Sequence, residues 1–327
     1  MTELISSANR FTPPVPLNTA ILFLVFNRPD TTRQVFDAIR QAKPPRLYVA
    51  ADGPRVTREG EAERCATVRQ IATVVDWKCE VFTLFREQNL GCGRAVSSAI
   101  SWFFENEEQG IILEDDCLPS QSFFYYCEEL LTRYSEDERV MCVSGDNFQR
   151  GQRVTNDSYY FSRYPHIWGW ASWRRAWKHY DFDLEQWPSF RAARGLRSLS
   201  DGNKLFESYW KNIFDSAREI DTWDYQWTFS CWAQHGLTAL PVVNQVTNIG
   251  FGSDSTHAMD AFSPLANLLA LELRFPLKHP TTVFRNVKAD SYTDRTQFRI
   301  TGLHESKRML SRLLAKMWNP PVGHRIK

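Results

Sequence analysis

Three consecutive carboxylates, Glu114-Asp115-Asp116, close the apolar run Gly110-Ile111-Ile112-Leu113. Adjacent carboxylates repel by roughly 1 kcal/mol per pair at ~4 Å in water, and by more where solvent is excluded. A cation removes that cost. Hard divalent ions choose oxygen ligands, often one or two carboxylates together with substrate phosphates. The triplet therefore points to Mn2+ or Mg2+ beside a phosphorylated ligand. In strand geometry Glu114 and Asp116 face one way and Asp115 the other, so one side can serve a metal and the other ribose or sugar hydroxyls. An acidic turn solvated at a strand end is the plainer alternative. The immediate return to Cys117-Leu118-Pro119 favours a short, constrained turn.

Other residues carry compatible chemistry. Arg28 follows the first apolar run, and its planar fork suits a diphosphate. Asp52 can accept a hydrogen bond from a pyrimidine N–H, which would select uracil over cytosine; before Gly53-Pro54 it is also an ordinary turn former. Asn89-Leu90-Gly91-Cys92-Gly93-Arg94 sets glycines ahead of a helix, where backbone can approach a ligand and the helix N-terminus favours an anion. It lacks the spacing of a P-loop or dinucleotide fingerprint, so a plain strand-to-helix turn is the alternative, with Arg94 as the candidate ligand. Asp224 follows Asp221-Thr222, which reads as a helix start. A carboxylate in a first helical turn is held as the anion by about 0.3–1 kcal/mol, ready to take a proton from a hydroxyl. His257 ends the small-residue stretch from Gly250, a candidate lid over a nucleotide. Trp168 and Trp170 flank Gly169 and are candidates for packing on a sugar ring. Trp170, Trp173 and Trp177 recur at helical spacing, for which core packing is the default.

These residues need elements to position them. Ile21 to Phe26 is a continuous apolar run, as in a strand buried on both faces. Strands are also expected at Leu47–Ala50, Val81–Phe85, Gly110–Leu113 and Val140–Val143. Helices are expected between them, at 29–39, 59–75, 93–104 and 119–134. This alternation predicts an α/β fold, a mostly parallel sheet flanked by helices. Ligands in such sheets sit at the carboxyl ends of the strands, where Arg28, Asp52 and the triplet all fall. After residue 150 the alternation stops and an aromatic-rich half begins, with helices near 203–217 and 223–235 and short strands near 238–247.

Composition narrows the class. With 43% hydrophobic and 24% charged residues the chain is an ordinary folded protein, and its 12 Trp must fill a core or line a groove. The net charge of +1 argues against a nucleic-acid binder. The segment 277–327 holds 11 Lys/Arg against 3 Asp/Glu, a basic end on an acidic body. Within it, Glu305 to Trp318 reads as a basic amphipathic helix, which docks on its own domain or touches an anionic membrane. The seven Cys form no CxxC pair and, with no evident signal peptide, predict a cytoplasmic protein, peripheral at most at the inner face of a membrane.

Together these motifs resemble the GT-A glycosyltransferases, and within them N-acetylglucosaminyltransferase I and its bacterial relatives, over residues 20–257. Ile21 to Ile39 is similar to that family's first βα unit, and Asp52-Gly53 to the turn whose aspartate accepts the uracil N–H. Glu114-Asp115-Asp116 is similar to its acidic triplet, whose last aspartate binds manganese. Phe123-Phe124-Tyr125-Tyr126, Val143-Ser144-Gly145-Asp146-Asn147, Trp168-Gly169-Trp170 and Trp223-Asp224 resemble later elements, the last holding the catalytic base. The chain departs from the family there: Trp223-Asp224-Tyr225-Gln226-Trp227 has one acid where the family has two adjacent aspartates between tryptophans. The resemblance implies a metal-dependent, inverting transfer from a UDP-sugar, first UDP-N-acetylglucosamine, to a glycan, lipid-linked or protein acceptor. It implies Asp116 as metal ligand, Asp224 as base, and Arg28, Asp52, Trp168 and Trp170 around the donor; the residues themselves add Glu114 and Asp115 for ribose and donor sugar, and Arg94 and His257 as further donor-site candidates. The expected organisation is a loose arm over 1–18, a catalytic domain over 19–258 with a nucleotide half to 150 and an acceptor half beyond, and a basic extension over 259–327. The alternatives are a nucleotidyltransferase on a related sheet and a non-catalytic carbohydrate-binding protein.

Overall fold

A computed structural model describes residues 11–251 and 268–301. The first half alternates strand and helix: β1 (Ile21–Val25), α1 (Pro29–Ala42), β2 (Arg46–Ala51), α2 (Glu61–Thr73), β3 (Glu80–Phe85), α3 (Cys92–Asn106) and β4 (Gln109–Glu114). A short strand, β5 (Cys117–Pro119), leads into α4 (Gln121–Arg133) and β6 (Val140–Ser144). Each residue of β1 is buried, because β2 and β4 pair on its two sides in parallel and helices cover both faces. Pro29 opens α1, where its missing N–H costs nothing, and Val35, Phe36 and Ile39 form the buried stripe.

The second half is less regular. It contains β7 (Tyr159–Ser162), β8 (Trp170–Trp173), α5 (Arg174–Trp177), α6 (Trp187–Ala192), α7 (Gly195–Leu199), α8 (Lys204–Ser216) and α9 (Asp224–Ala233). There follow β9 (Leu237–Pro241), β10 (Val246–Asn248) and, past the undescribed segment, α10 (Val287–Thr296). The main sheet has the order β3-β2-β1-β4-β8-β6-β9-β7. β8 and β7 run against the others, so the sheet is mostly parallel, as the alternation predicts.

Two cores lie on its two faces. One, with Phe23, Phe36, Leu113 and Phe123, packs α1, α2 and α4. The other holds most of the tryptophans, including Trp170, Trp177, Trp210, Trp227 and Trp232, under α3, α8 and α9. The structure changes two expectations. Trp170 and Trp173 belong to a strand, not to a helical stripe; β8 pairs with both β4 and β6, and edge pairing outweighs the aromatic spacing. Residues 11–18 are not loose: Phe11 packs on Tyr125 and Phe275, and Leu17 is buried. The chain after 268 also returns to the body. Arg163 Nη2 donates to both carboxylate oxygens of Asp294 on α10, at 2.7 and 2.8 Å, and this buried pair holds the helix to β7. The amphipathic segment Glu305 to Trp318 lies outside the described residues. Among the described residues no helix is long and apolar enough to cross a membrane.

Candidate active site

Strand order reverses beside β1: β2 lies on one side and β4, reached after β3 and α3, on the other. A crevice opens there at the carboxyl ends. Its cavity, about 520 Å³, is lined by Arg28, Asp52, Glu114, Asp115, Asp116 and Asp224, among others. The sequence scatters these six groups over nearly 200 positions; the fold brings them to one chamber.

The triplet caps β4. Asp115 is buried and accepts the backbone N–H of Phe26 at 3.1 Å, which ties the end of β1 to the end of β4. Arg28 reaches back from the start of α1, with Nη1 2.7 Å from Asp116 Oδ2 and 3.8 Å from Asp115 Oδ1. Burial pushes the Glu114 carboxyl up to about 8, helped by Asp116, Asp115 and Asp224, while Arg28 pulls the other way. Burial and Asp116 likewise raise Asp115 to about 7, again against Arg28. Burial alone would lower the Arg28 pKa; the Asp115 and Asp116 charges more than offset it and raise it.

Asp52 lines the cavity, yet most of its acceptor capacity is used internally. It accepts from the Gly53 and Leu90 amides and from Asn89 Nδ2, at 2.9 to 3.0 Å. A carboxylate offers about four acceptor positions, so a nucleobase N–H would be a fourth donor. Burial raises the Asp52 pKa against those backbone hydrogen bonds. Gly53 is required here for space: a Cβ would stand 2.4 Å from the Gln88 backbone.

The opposite wall comes from residues 167–168, 220–225 and 248–251. Asp224 begins α9 and lines the cavity, its Oδ1 accepting the Thr222 hydroxyl. Asp221 does not start that helix. It caps α3 instead, accepting the Cys92 and Gly93 amides at 2.9 and 2.7 Å. This alters the reading of the Gly91-Cys92-Gly93 turn. Gly91 has φ +79°, and a Cβ there would meet Asp221 Oδ2 at 2.6 Å; one on Gly93 would meet the Thr222 carbonyl at 2.8 Å. The close approach and the helix-terminal anion inferred for a ligand are supplied by the chain itself. Arg94 is exposed and lies over the Phe182 ring, away from the cavity.

The two tryptophans part ways. Trp168 lines the cavity edge-on to Phe251, its backbone N–H donated to Asp146 Oδ2 at 3.0 Å. Trp170 is fully buried, stacked beneath Trp223 at 5.6 Å, and cannot touch a sugar. Gly250 lies against the triplet, where a Cβ would sit 2.1 Å from Asp116 Oδ2. His257 lies outside the described residues. The sequence places Asp221 at the start of α9, whereas the groups it caps lie 128 and 129 positions earlier. Sequence reasoning missed Gly250, because no local signal marks a contact with Asp116, 134 positions away. It also missed the buried Glu61, which ties Asn27 and Arg55 at the cavity mouth.

Among the described residues, no group of three His, Cys, Asp or Glu side chains is arranged as a metal cage. The donor chemistry still fits a hard divalent ion. Three carboxylates share one wall, and their ion pairs go to Arg28. An ion held by one or two of them would need phosphate oxygens to complete its shell, which is how Mg2+ commonly binds.

The described chain is thus an α/β protein with an acidic, carboxyl-lined chamber at the switch point of a mostly parallel sheet. No protein-family model matches it, and none of the curated proteins does. Among solved structures it is similar to residues 1-349 of TarS from S. aureus, at 8% identity and TM-score 0.39, over 70% of this chain and 59% of that one. It is also similar to UTP-bound UGPase from Acinetobacter baumannii, at 9% identity and TM-score 0.34, over 71% of this chain and 88% of that one. The glycosyltransferase GlyE of Streptococcus pneumoniae TIGR4 matches at 9% identity and TM-score 0.30, over 68% of this chain and 45% of that one. The chain therefore spans less than two thirds of the TarS and GlyE chains.

Proposed function

We propose that this protein is a metal-dependent glycosyltransferase that moves a sugar from a UDP-sugar to an acceptor hydroxyl. The observation that supports this best is the meeting of the acidic triplet with Asp224 in one chamber. A cluster suited to a divalent cation, which could in turn bind a diphosphate, lines the same chamber as a carboxylate suited to accept a proton, and Asp224 is near enough to add to the rise of the Glu114 pKa.

In this reading Arg28 binds the diphosphate through its guanidinium. Asp52 offers its remaining acceptor position to the uracil N–H, held rigid by Asn89 and Leu90. Glu114 and Asp115 orient ribose and donor sugar. Asp224 takes the proton of the acceptor hydroxyl as its oxygen bonds to the anomeric carbon. The bond from that carbon to the diphosphate breaks, and the electron pair leaves with UDP. A divalent ion held by Asp116 would neutralise charge on the leaving diphosphate. Trp168, on the cavity wall, offers an aromatic face for packing on the donor sugar ring. Inversion and N-acetylglucosamine as the donor sugar rest on the resemblance to N-acetylglucosaminyltransferase I; the acceptor is a glycan, a lipid-linked glycan or a protein.

Calorimetric titration of UDP with Mn2+, with EDTA and against Asp116→Asn tests the proposal. Metal-dependent binding, lost in the variant, is the expected result and would justify a panel of UDP-sugars. Binding indifferent to metal and to Asp116 would remove the metal from the reaction. Pyrophosphate release from a nucleoside triphosphate would replace the proposal with nucleotidyl transfer.

A further inference from the structure

The two edges of the main sheet are finished differently. At one end β7 is covered: Phe161 bridges to Arg285, and Ser162 and Arg163 bond Asp290 at the start of α10. At the other end, among the described residues, β3 pairs with β2 alone. Its six residues, Glu80-Val81-Phe82-Thr83-Leu84-Phe85, are exposed but for Leu84, with Val81, Phe82 and Phe85 near 37%. Edge strands ordinarily carry a guard against pairing, such as Pro, Lys or a bulge. β3 has no Pro or Lys, and its register with β2 is unbroken.

We propose that β3 is the dimerisation edge, pairing antiparallel with β3 of a second copy about a two-fold axis at Thr83. The argument is one of parity. Glu80 and Arg86 donate their amides inward, to Pro45 and Ala51. With period two, the amides and carbonyls of Val81, Thr83 and Phe85 point outward. A two-fold at Thr83 sets Thr83 against itself and Val81 against Phe85, so each outward group meets an outward group. An axis shifted by half a residue would set outward residues against inward ones. The same axis sets Phe82 opposite Leu84 and Glu80 opposite Arg86, whose Nη2 also donates to Ser98 Oγ at 2.8 Å, on the face shared by the even positions. Opposite charges and apolar pairs thus fall in register, each a favourable cross-strand pair. A self-complementary patch is what a two-fold dimer requires.

Sedimentation velocity on the full chain tests this. Wild type is expected near twice the 38.1 kDa chain mass at micromolar concentration. Thr83→Pro removes only an outward N–H, and Val81→Lys restores an edge guard. Each is expected to weaken the dimer roughly 10- to 100-fold while circular dichroism stays unchanged. Hydrogen exchange on wild type covers the case of a variant that does not fold: amides in 80–87 are expected to slow as protein concentration rises. A monomeric wild type, a dimer untouched by either folded variant, or exchange in 80–87 independent of concentration would each overturn the proposal.

Discussion

The two walls of the cavity are built by different means. The first, from β1, β2 and β4, is made of strand ends, and its carboxylates sit where the backbone ladder puts them. Asp115 needs one cross-strand hydrogen bond and Arg28 one turn of helix. The second wall is assembled by side-chain clamps. Asp221 reaches α3, Asp146 holds the Trp168 amide, and Gly250 presses on Asp116 without a side chain. A wall made of ladder is rigid without special residues. One made of clamps depends on single groups far apart in sequence, so it should fail piecemeal while the first wall stays formed.

The sharpest break between the walls is Asp224→Asn. If Asp224 is the base and the first wall binds donor, turnover should fall about 10²- to 10⁴-fold while UDP affinity stays within about twofold of wild type. Steady-state kinetics with calorimetry reads both, and an equal loss in the two would place Asp224 in donor binding instead. Next comes the contrast of the tryptophans. Trp170→Ala should cost about 3–5 kcal/mol of stability, as a fully buried aromatic does. Trp168→Ala, at the cavity edge, should mainly raise KM for the sugar donor. Thermal melting beside kinetics separates them.

The pH dependence sharpens the first wall. Glu114 and Asp115 are raised to about 8 and 7 in the folded chain, so between their ordinary range and those values the folded state binds more protons than the unfolded state. Stability from this source is therefore greatest at low pH and falls as pH rises through about 4 to 8. In EDTA the loss should be on the order of 2 kcal/mol after screening, about 3 °C in Tm for a chain of this length. Mn2+ should cancel it, since it takes the place of the protons. A flat profile in EDTA would show the carboxylates charged without help. The smallest effect belongs to a clamp: Asp221→Ala should cost about 1 kcal/mol by leaving the start of α3 uncapped, with turnover reduced more than UDP affinity. Asp221→Asn, which keeps the acceptor oxygen, should restore most of both.

The first wall was legible in the sequence because it is local. An apolar run buried on both faces must be a central strand, and polar residues directly after such runs must lie at the carboxyl edge. Arg28, Asp52 and the triplet follow from that alone. The clamps were not legible, since a cap looks the same in sequence whether it serves the next helix or one 128 residues earlier. Asp221 and the Gly91-Cys92-Gly93 turn each carried a correct local signal, a capping carboxylate and a close approach; Asp221 caps α3 and not the helix that follows it, and the turn is the plain strand-to-helix turn that stood as its alternative. Trp170 was misplaced because tryptophans spaced as in a helix can also be a strand followed by a turn of helix.

By itself, then, the sequence determined the sheet-forming runs, the parallel first half and the acids at its edge, because each depends on hydrophobic period and strand direction over a few residues. Only the tertiary structure decided where β8 inserts, which tryptophans face ligand and which face core, that α10 returns to hold Arg163, and that Asp221 closes the chamber. Those outcomes are set by contacts between distant segments, whose free energy is shared among many groups and written in no single stretch of chain.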